Sequence, residues 1–365
     1  MRRGSVFVIL FVLVAAIIIG ASQFLRSQPP LEVTIAVSPL AEDWVRASAD
    51  AFNATNPLLG SGQRIAIRVQ PVDDPAVWGD NARTFSAQEH PAAWIPALTA
   101  SVDYAVELRL PVATITPATA RTLLVWGIFE SRAAVAQPDD APLDWPRVQE
   151  LAEMESWASV PGGQANWGFV KLIFSRPATT AGGLGVLFSG AGAFYDTADL
   201  ATATLSDNAF RAWMQPVIDS VPNFNTLGAD PAAALTRGPS TGEIALLPES
   251  QWLVQLNGIV QRESVRFSYP KYAVVYDFPV ALWDAPEMTD IERDAVYRFA
   301  DWLLQPAQQE GAIAFGLRPV SWDADAQAPL MAAAIPYGIT PDLDLAATIT
   351  APTRNEVLRM LNWAG

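Results

Sequence analysis

Four groups of residues in this 365-residue chain have types and spacings that do chemistry in other settings. Gly238-Pro-Ser-Thr-Gly242 matches the Gly-x-Ser-x-Gly form of a hydrolase nucleophile elbow. An elbow needs a strand before it, a helix after it and a histidine later in the chain. Here the helix-like AAALTR precedes, the strand-like EIALLP follows, and the only histidine, His90, lies far upstream. The carboxylate pairs Asp73-Asp74 and Asp139-Asp140 sit in proline-flanked loops and read as solvated turn residues rather than as an acid/base pair. One histidine without any cysteine cannot assemble a zinc site. No catalytic residue, metal or cofactor is expected.

The fourth group is the stretch IFSRPATTAGGLGVLFSG, Ile173 to Gly190. An apolar run breaks at Arg176-Pro177, passes Thr179 and Thr180, and enters a glycine-rich segment that can open a helix. Such a turn can cradle an anion at a helix N-terminus, let a helix pack closely on a sheet, or form half of a ligand cleft. No Lys-Ser/Thr follows the glycines and no G-x-G-x-x-G fits, which excludes a nucleotide loop. The two threonines are expected to face a cleft as donors, with Gly182, Gly183 and Gly185 bringing the helix close to its sheet.

The elements that must hold these groups alternate in type. LEVTIAVS (Leu31 to Ser38) is a strand ending at Pro39, and in AEDWVRASADAFNATNP the residues Trp44, Val45, Ala49 and Phe52 recur at helical spacing. Gln63 to Val72 and Pro91 to Thr99 read as further strands, with a helix in DDPAVWGDNARTFSAQEH between them. Arg121 to Gln137 is a β-prone run longer than an ordinary strand. WPRVQELAEM, TTAGGLGVLFSGAGAFY and SDNAFRAWMQPVIDSV read as helices, the last with Ser206 as cap, and WGFVKLIF as a strand. GEIALLPESQWLVQLNG gives strand, Pro248 turn and helix. VRFSYPKYAVVYDFPVALWD carries two short strands, and Thr289 with Glu292 forms a capping box for the amphipathic helix that follows. Strands alternating with helices predict an α/β fold with parallel sheets.

Composition bounds the setting. Arg2-Arg3 precedes an uncharged apolar run, and Val6 to Leu25 would span roughly 30 Å as a helix, enough to cross a bilayer. We expect an uncleaved signal anchor over residues 1–26 with its N-terminus inside, although Gly20-Ala21-Ser22 would also serve a signal peptidase. Either way the body is extracytoplasmic, and the uncleaved anchor would hold it to the cell membrane as a single-pass protein. After Arg26 the chain carries 38 acids against 20 bases, and a net charge near −18 without a basic stripe excludes nucleic acid as a partner. Thirteen tryptophans raise the question of sugar stacking, but Trp44, Trp213, Trp302 and Trp363 fall on helix faces and read as core.

Three stretches carry a resemblance: LEVTIAVSPLAEDWVRASADAFNATNP, HPAAWIPALTASVDYAVEL, and YPKYAVVYDFPVALWD through GAIAFGLRPV. Together they resemble extracellular, periplasmic-type solute-binding proteins with two lobes (type II). The likeness is greatest to the solute-binding modules found beside von Willebrand-type domains in membrane-tethered bacterial proteins, and more remote to molybdate-type receptors. There is no Asp-x-Ser-x-Ser stretch for a von Willebrand metal site. The resemblance implies lobe 1 over 31–128, lobe 2 over 129–275, and a return to lobe 1 with a C-terminal wrapping helix over 276–365, each lobe a mostly parallel sheet flanked by helices. Ligand contacts then belong to loops at the carboxyl ends of strands. Ser38, Trp94 with Pro96, Thr179, Thr180, Glu249 and Ser250 hold such positions, and Asp277 with Tyr276 lies at the second crossover. The expected function is capture of a small solute by hinge closure for transport or sensing, with a membrane permease or a surface protein as partner. The alternative is a scaffold of the same fold that captures nothing; bulky apolar side chains filling the cleft would favour it. The ligand class stays open.

Overall fold

The computed structural model describes residues 10–15, 29–60, 62–80, 84–137, 141–205, 207–228, 230–321, 327–343, 345 and 347–364. Of the expected anchor only residues 10–15 are described, as helix, and the rest lies outside the described residues. Among the described residues no helix is long and apolar enough to cross a membrane. Asp139, Asp140 and Ser206 are likewise outside them.

The chain opens with β1 (Leu31–Val37), α1 (Glu42–Ala54), β2 (Ile65–Pro71), α2 (Asp74–Trp78), β3 (Ala93–Ile95), α3 (Thr99–Glu107) and β4 (Val112–Thr116). A second group follows: β5 (Thr122–Phe129), α4 (Glu130–Ala136), α5 (Trp145–Glu153), β6 (Leu172–Ile173), α6 (Ala181–Tyr195), α7 (Asn208–Asp219), α8 (Phe224–Leu227), α9 (Pro231–Leu235), β7 (Ile244–Pro248), α10 (Glu249–Val260), β8 (Val265–Ser268) and β9 (Val275–Tyr276). The chain then returns through β10 (Val280–Trp283), α11 (Asp290–Leu303) and α12 (Pro306–Ile313), and ends with α13 (Pro329–Ala334) and α14 (Arg354–Ala364).

Two mixed sheets result, one per lobe. The first has the order β2-β1-β3-β10-β4 and the second β6-β7-β5-β8, with β9 also on β5. In each sheet one strand runs against the others. β1 is parallel to β2 and β3, but β10 runs antiparallel to β3 and β4, and β5 is antiparallel to β7, β8 and β9. The reason lies in the crossovers: β5 and β10 enter their sheets from the other lobe and therefore run against the strands already there.

Local chemistry explains most elements. Trp44, Val45, Ala49 and Phe52 are the buried stripe of α1, and Phe52 meets Phe299 and Trp302 of α11 edge-on at 5.5 and 5.7 Å. Thr289 and Glu292 form the full capping box of α11. The run from Arg121 divides at Glu130: every residue of β5 is buried, as suits a central strand covered on both faces, and the next seven turn into α4. Asp207 caps α7, its carboxylate accepting from the Ala209 N–H at 2.8 Å. WGFVKLIF yields only the two-residue β6, and the return to lobe 1 carries β9 beyond the two strands expected.

Among the described residues the chain crosses between the lobes at three places. Residues 117–121 link β4 of the first sheet to β5 of the second. Residues 277–279 link β9 to β10, and the Thr119 hydroxyl donates to the Phe278 carbonyl at 2.7 Å, tying these two crossovers together. Phe278 is fully buried at φ 48°, a left-handed conformation that a bulky residue adopts only when its surroundings enforce it. The third crossing runs from α12 through Gly316 to Arg318, whose backbone pairs with Arg121. Beyond it α13 lies on α10 and α14 packs on α7.

Candidate functional site

A cavity of about 540 Å³ opens between the lobes at the carboxyl ends of β1 and β7. Lobe 1 supplies the turn after β1 and the first turn of α1, from Pro39 to Trp44. Lobe 2 supplies Asp230 ahead of α9 and Ser250, Gln251 and Val254 of α10, while Ala314, Phe315 and Leu317 of the third crossing form the remaining side. The size falls within the ordinary range for small-molecule sites. Neither α1 nor α10 has a side chain capping its N-terminus.

Of the residues singled out in the sequence, Ser250 lines this cavity, and its backbone N–H is held by the Thr122 hydroxyl at 3.1 Å. Ser38 lies just before it, fully buried, with a hydroxyl that has no partner among the described residues. The others do different work. Trp94 is in the core of lobe 1, 1% exposed, with its ring 5.9 Å from Phe85. Glu249 is fully buried in an ion pair: Arg318 Nε and Nη2 donate to its two oxygens at 2.6 and 2.8 Å, and the Tyr269 hydroxyl adds a third bond at 2.6 Å. Thr180 caps its own helix, accepting from the Gly183 N–H at 3.1 Å and donating to the Arg176 carbonyl, while Thr179 is exposed. The Thr180 hydroxyl is therefore committed to its own helix. Asp277 accepts from the Thr99 N–H and hydroxyl at 3.1 and 2.7 Å and borders a separate groove of about 700 Å³ beside the crossovers. Burial raises its carboxyl above the usual range, against the pull of those hydrogen bonds.

The acidic pair that the sequence assigns to a solvated turn is the largest departure. Asp73 caps α2 and reaches across the lobes, accepting from the Ala181 N–H at the start of α6 at 2.8 Å. Asp74 is fully buried and accepts from the N–H groups of Ala97 and Leu98 and from the Ser101 hydroxyl, the last at 2.6 Å. Burial pushes the Asp73 carboxyl up to about 6 and that of Asp74 up to about 7. Tyr276 closes the same corner, donating to the Gly182 carbonyl at 3.2 Å, and a Cβ on Gly185 would lie 2.0 Å from its hydroxyl. The glycines thus bring α6 up to a crossover strand, as expected, and a lobe 1 carboxylate occupies the helix N-terminus where an anionic solute would sit. The signal was available in the sequence, since an Asp directly before Asp-Pro is a helix cap followed by proline in the first turn.

Ser240 sits between α9 and β7, the reverse of an elbow, and His90 stacks on Trp283 with ring centroids 4.4 Å apart. Among the described residues no group of acidic, histidine or cysteine side chains is placed to hold a metal.

No family model matches the chain, and no curated protein is similar in sequence. Solved structures are similar in fold. The maltotriose-bound maltose/maltodextrin-binding domain MalE of Bdellovibrio bacteriovorus matches with a TM-score of 0.59 at 12% identity over 92% of this chain and 94% of that one. A periplasmic thiamin binding protein gives 0.58 at 12% identity over 93% and 95%, and the maltose-bound MalE3 of T. maritima 0.57 at 14% over 91% and 90%. The chain therefore has the two-lobed fold of type II periplasmic binding proteins.

Proposed function

We infer that this protein is an extracytoplasmic solute-binding protein, held to the cell membrane by its N-terminal helix, whose lobes close on a small ligand. The observation that carries this reading is the 540 Å³ cavity with walls from both lobes at the carboxyl ends of β1 and β7. The similar structures bind maltose, maltotriose or thiamin, so the fold suits such ligands in other chains. Delivery to a permease of the ABC type, or signalling to a surface protein bearing a von Willebrand-type domain, completes the reading. The test is thermal unfolding of the full chain in detergent against sugars, oxyanions, amino acids, amines and short peptides. A ligand at 100 times its dissociation constant stabilises by about 2.7 kcal/mol, a resolvable shift. Silence across the panel from a well-folded protein would overturn it.

One observation favours the scaffold reading. Asp73 bonds the start of α6 across the lobes, so groups of the chain itself help to hold the lobes together. A scaffold would show the same compactness with and without every member of the panel.

A further inference from the structure

We propose that Asp73 is a proton-operated latch between the lobes: while its carboxyl is protonated the lobes rest together, and its ionisation sets them free to open. The latch needs only the two-lobed fold and not solute capture, so it goes beyond the reading above, and a failed ligand panel leaves it standing.

Geometry makes Asp73 the side chain that lobe motion must disturb. It stands just past the carboxyl end of β2, and its Oδ1 accepts from the Asp74 N–H at 3.2 Å, which fixes it as the cap of α2. The same oxygen accepts from the Ala181 N–H of α6 at 2.8 Å. A side chain pinned to its own helix in lobe 1 cannot follow α6 when lobe 2 swings away. Opening therefore breaks the bond to Ala181 and admits water to the carboxyl. Tyr276 of β9 closes the third side of this corner, its hydroxyl donating to the Gly182 carbonyl at 3.2 Å.

Charge makes the contact sensitive to protons. Asp74 is fully buried next to Asp73, and its donors Ala97, Leu98 and Ser101 all belong to lobe 1, so lobe motion leaves its bonds intact. The titratable groups around Asp73 are the Asp74 carboxyl on its own helix and the Tyr276 hydroxyl on the crossover strand, while α6 presents backbone N–H. Among the described residues no lysine, arginine or histidine acts on either carboxyl. Two neighbouring carboxyls shut from water without a counter-ion resist ionisation, and the N–H donors with the dipole of α6 offset only part of that cost. Burial accordingly brings Asp73 up to about 6 and Asp74 up to about 7.

The direction follows from which form of the molecule holds the proton more tightly. Opening returns Asp73 toward the ordinary value of 3.8, so the joined lobes bind the proton better than the separated ones. Closure is strongest below about pH 4 and is lost as pH rises through about 6. From pH 5 to pH 8 the closed-to-open ratio falls roughly tenfold.

The chain has no cysteine, so Ala47→Cys on α1 and Ala212→Cys on α7, both at exposed positions, give one dye site per lobe. Single-molecule energy transfer on the full chain in detergent then reads the interlobe distance from pH 5 to pH 8, with and without Asp73→Asn. Asn caps helices as Asp does and keeps an oxygen for the Ala181 N–H, so the variant should fold. The expected result is a closed population that gives way to an open one by roughly tenfold in ratio in the wild type, and a closed population at every pH in Asp73→Asn. A constant distance in the wild type, or opening on acidification, would overturn the latch. So would a pH response in Asp73→Asn equal to that of the wild type, which would assign the change to another group. Infrared difference spectra of the unlabelled chain between pH 5 and pH 8 give a second readout. A protonated carboxyl band should fade as pH rises, and part of it should be missing in Asp73→Asn; identical spectra from the two proteins would also overturn the proposal.

Discussion

The residues that decide stability here are charged groups the fold has buried. Arg318 and Glu249 are 1% and 0% exposed, and each is saturated by the other and by neighbours. Removing one partner leaves an uncompensated charge, so Arg318→Met should cost about 3–5 kcal/mol, read from the urea midpoint, and Glu249→Gln with it should recover much of that. A small effect of the single change would mean water reaches the pair. Asp73 and Asp74 behave differently, because burial raises both above the ordinary carboxylate value of 3.8. The folded state then holds protons that the unfolded chain has lost, and stability falls as pH rises from about 4 through about 7. Urea midpoints should accordingly be higher at pH 5 than at pH 8, and Asp73→Asn should flatten part of the slope. A midpoint that rises across this interval would show that the hydrogen bonds from Ala181, Ala97 and Ser101 outweigh burial.

At the scale of elements, α6 shows what glycine contributes and what the sequence could convey about it. A Cβ on Gly183 would lie 2.3 Å from the Ser175 carbonyl oxygen, a backbone atom that cannot step aside, so Gly183→Ala should cost about 1–3 kcal/mol. Gly311 in α12 has nothing near its missing side chain, and Gly311→Ala should gain about 0.5–1 kcal/mol; chemical denaturation of both variants checks the contrast. The close approach of α6 was readable in advance from Gly182, Gly183 and Gly185, as were the stripe of α1 and the capping box of α11, because spacing and caps act within one turn of chain. What the threonines do was not readable. Thr180 serves its own helix while Asp73, over a hundred residues earlier, takes the position across the cleft. The same limit hid the direction of β5 and the burial of Trp94, Glu249 and Asp74, which depend on where a crossover delivers the chain rather than on neighbours in sequence. The ends of strands can be located locally, and that is how the reading reached Ser250 on the cavity wall, whereas Asp230, Gln251 and Phe315 reach the cavity through three separate loops and helices.

At the scale of the whole molecule, the lobes are also bonded to each other outside the crossovers. The segment before α14 lies on lobe 2, where the Thr350 N–H donates to the Ala198 carbonyl and its own carbonyl accepts from Leu200. The same segment then touches lobe 1: the Tyr104 hydroxyl donates to the Pro352 carbonyl at 2.5 Å, and Arg354 Nε donates to the Trp78 carbonyl at 2.8 Å. With the bond from Ala181 to Asp73 on the other side of α6, these tie the lobes together from two directions. A single hydrogen bond contributes about 1 kcal/mol net, so Asp73→Ala with Tyr104→Phe should lose about 2 kcal/mol of closure. That shifts the closed-to-open ratio by roughly thirtyfold. Small-angle scattering should give a larger radius of gyration for the double variant than for the wild type, and a solute that binds between the lobes should reverse the increase. An unchanged radius would mean that the joined crossovers at Thr119 and Phe278, together with the Arg318 network, hold the lobes without help, leaving a binding site that a solute enters without hinge motion.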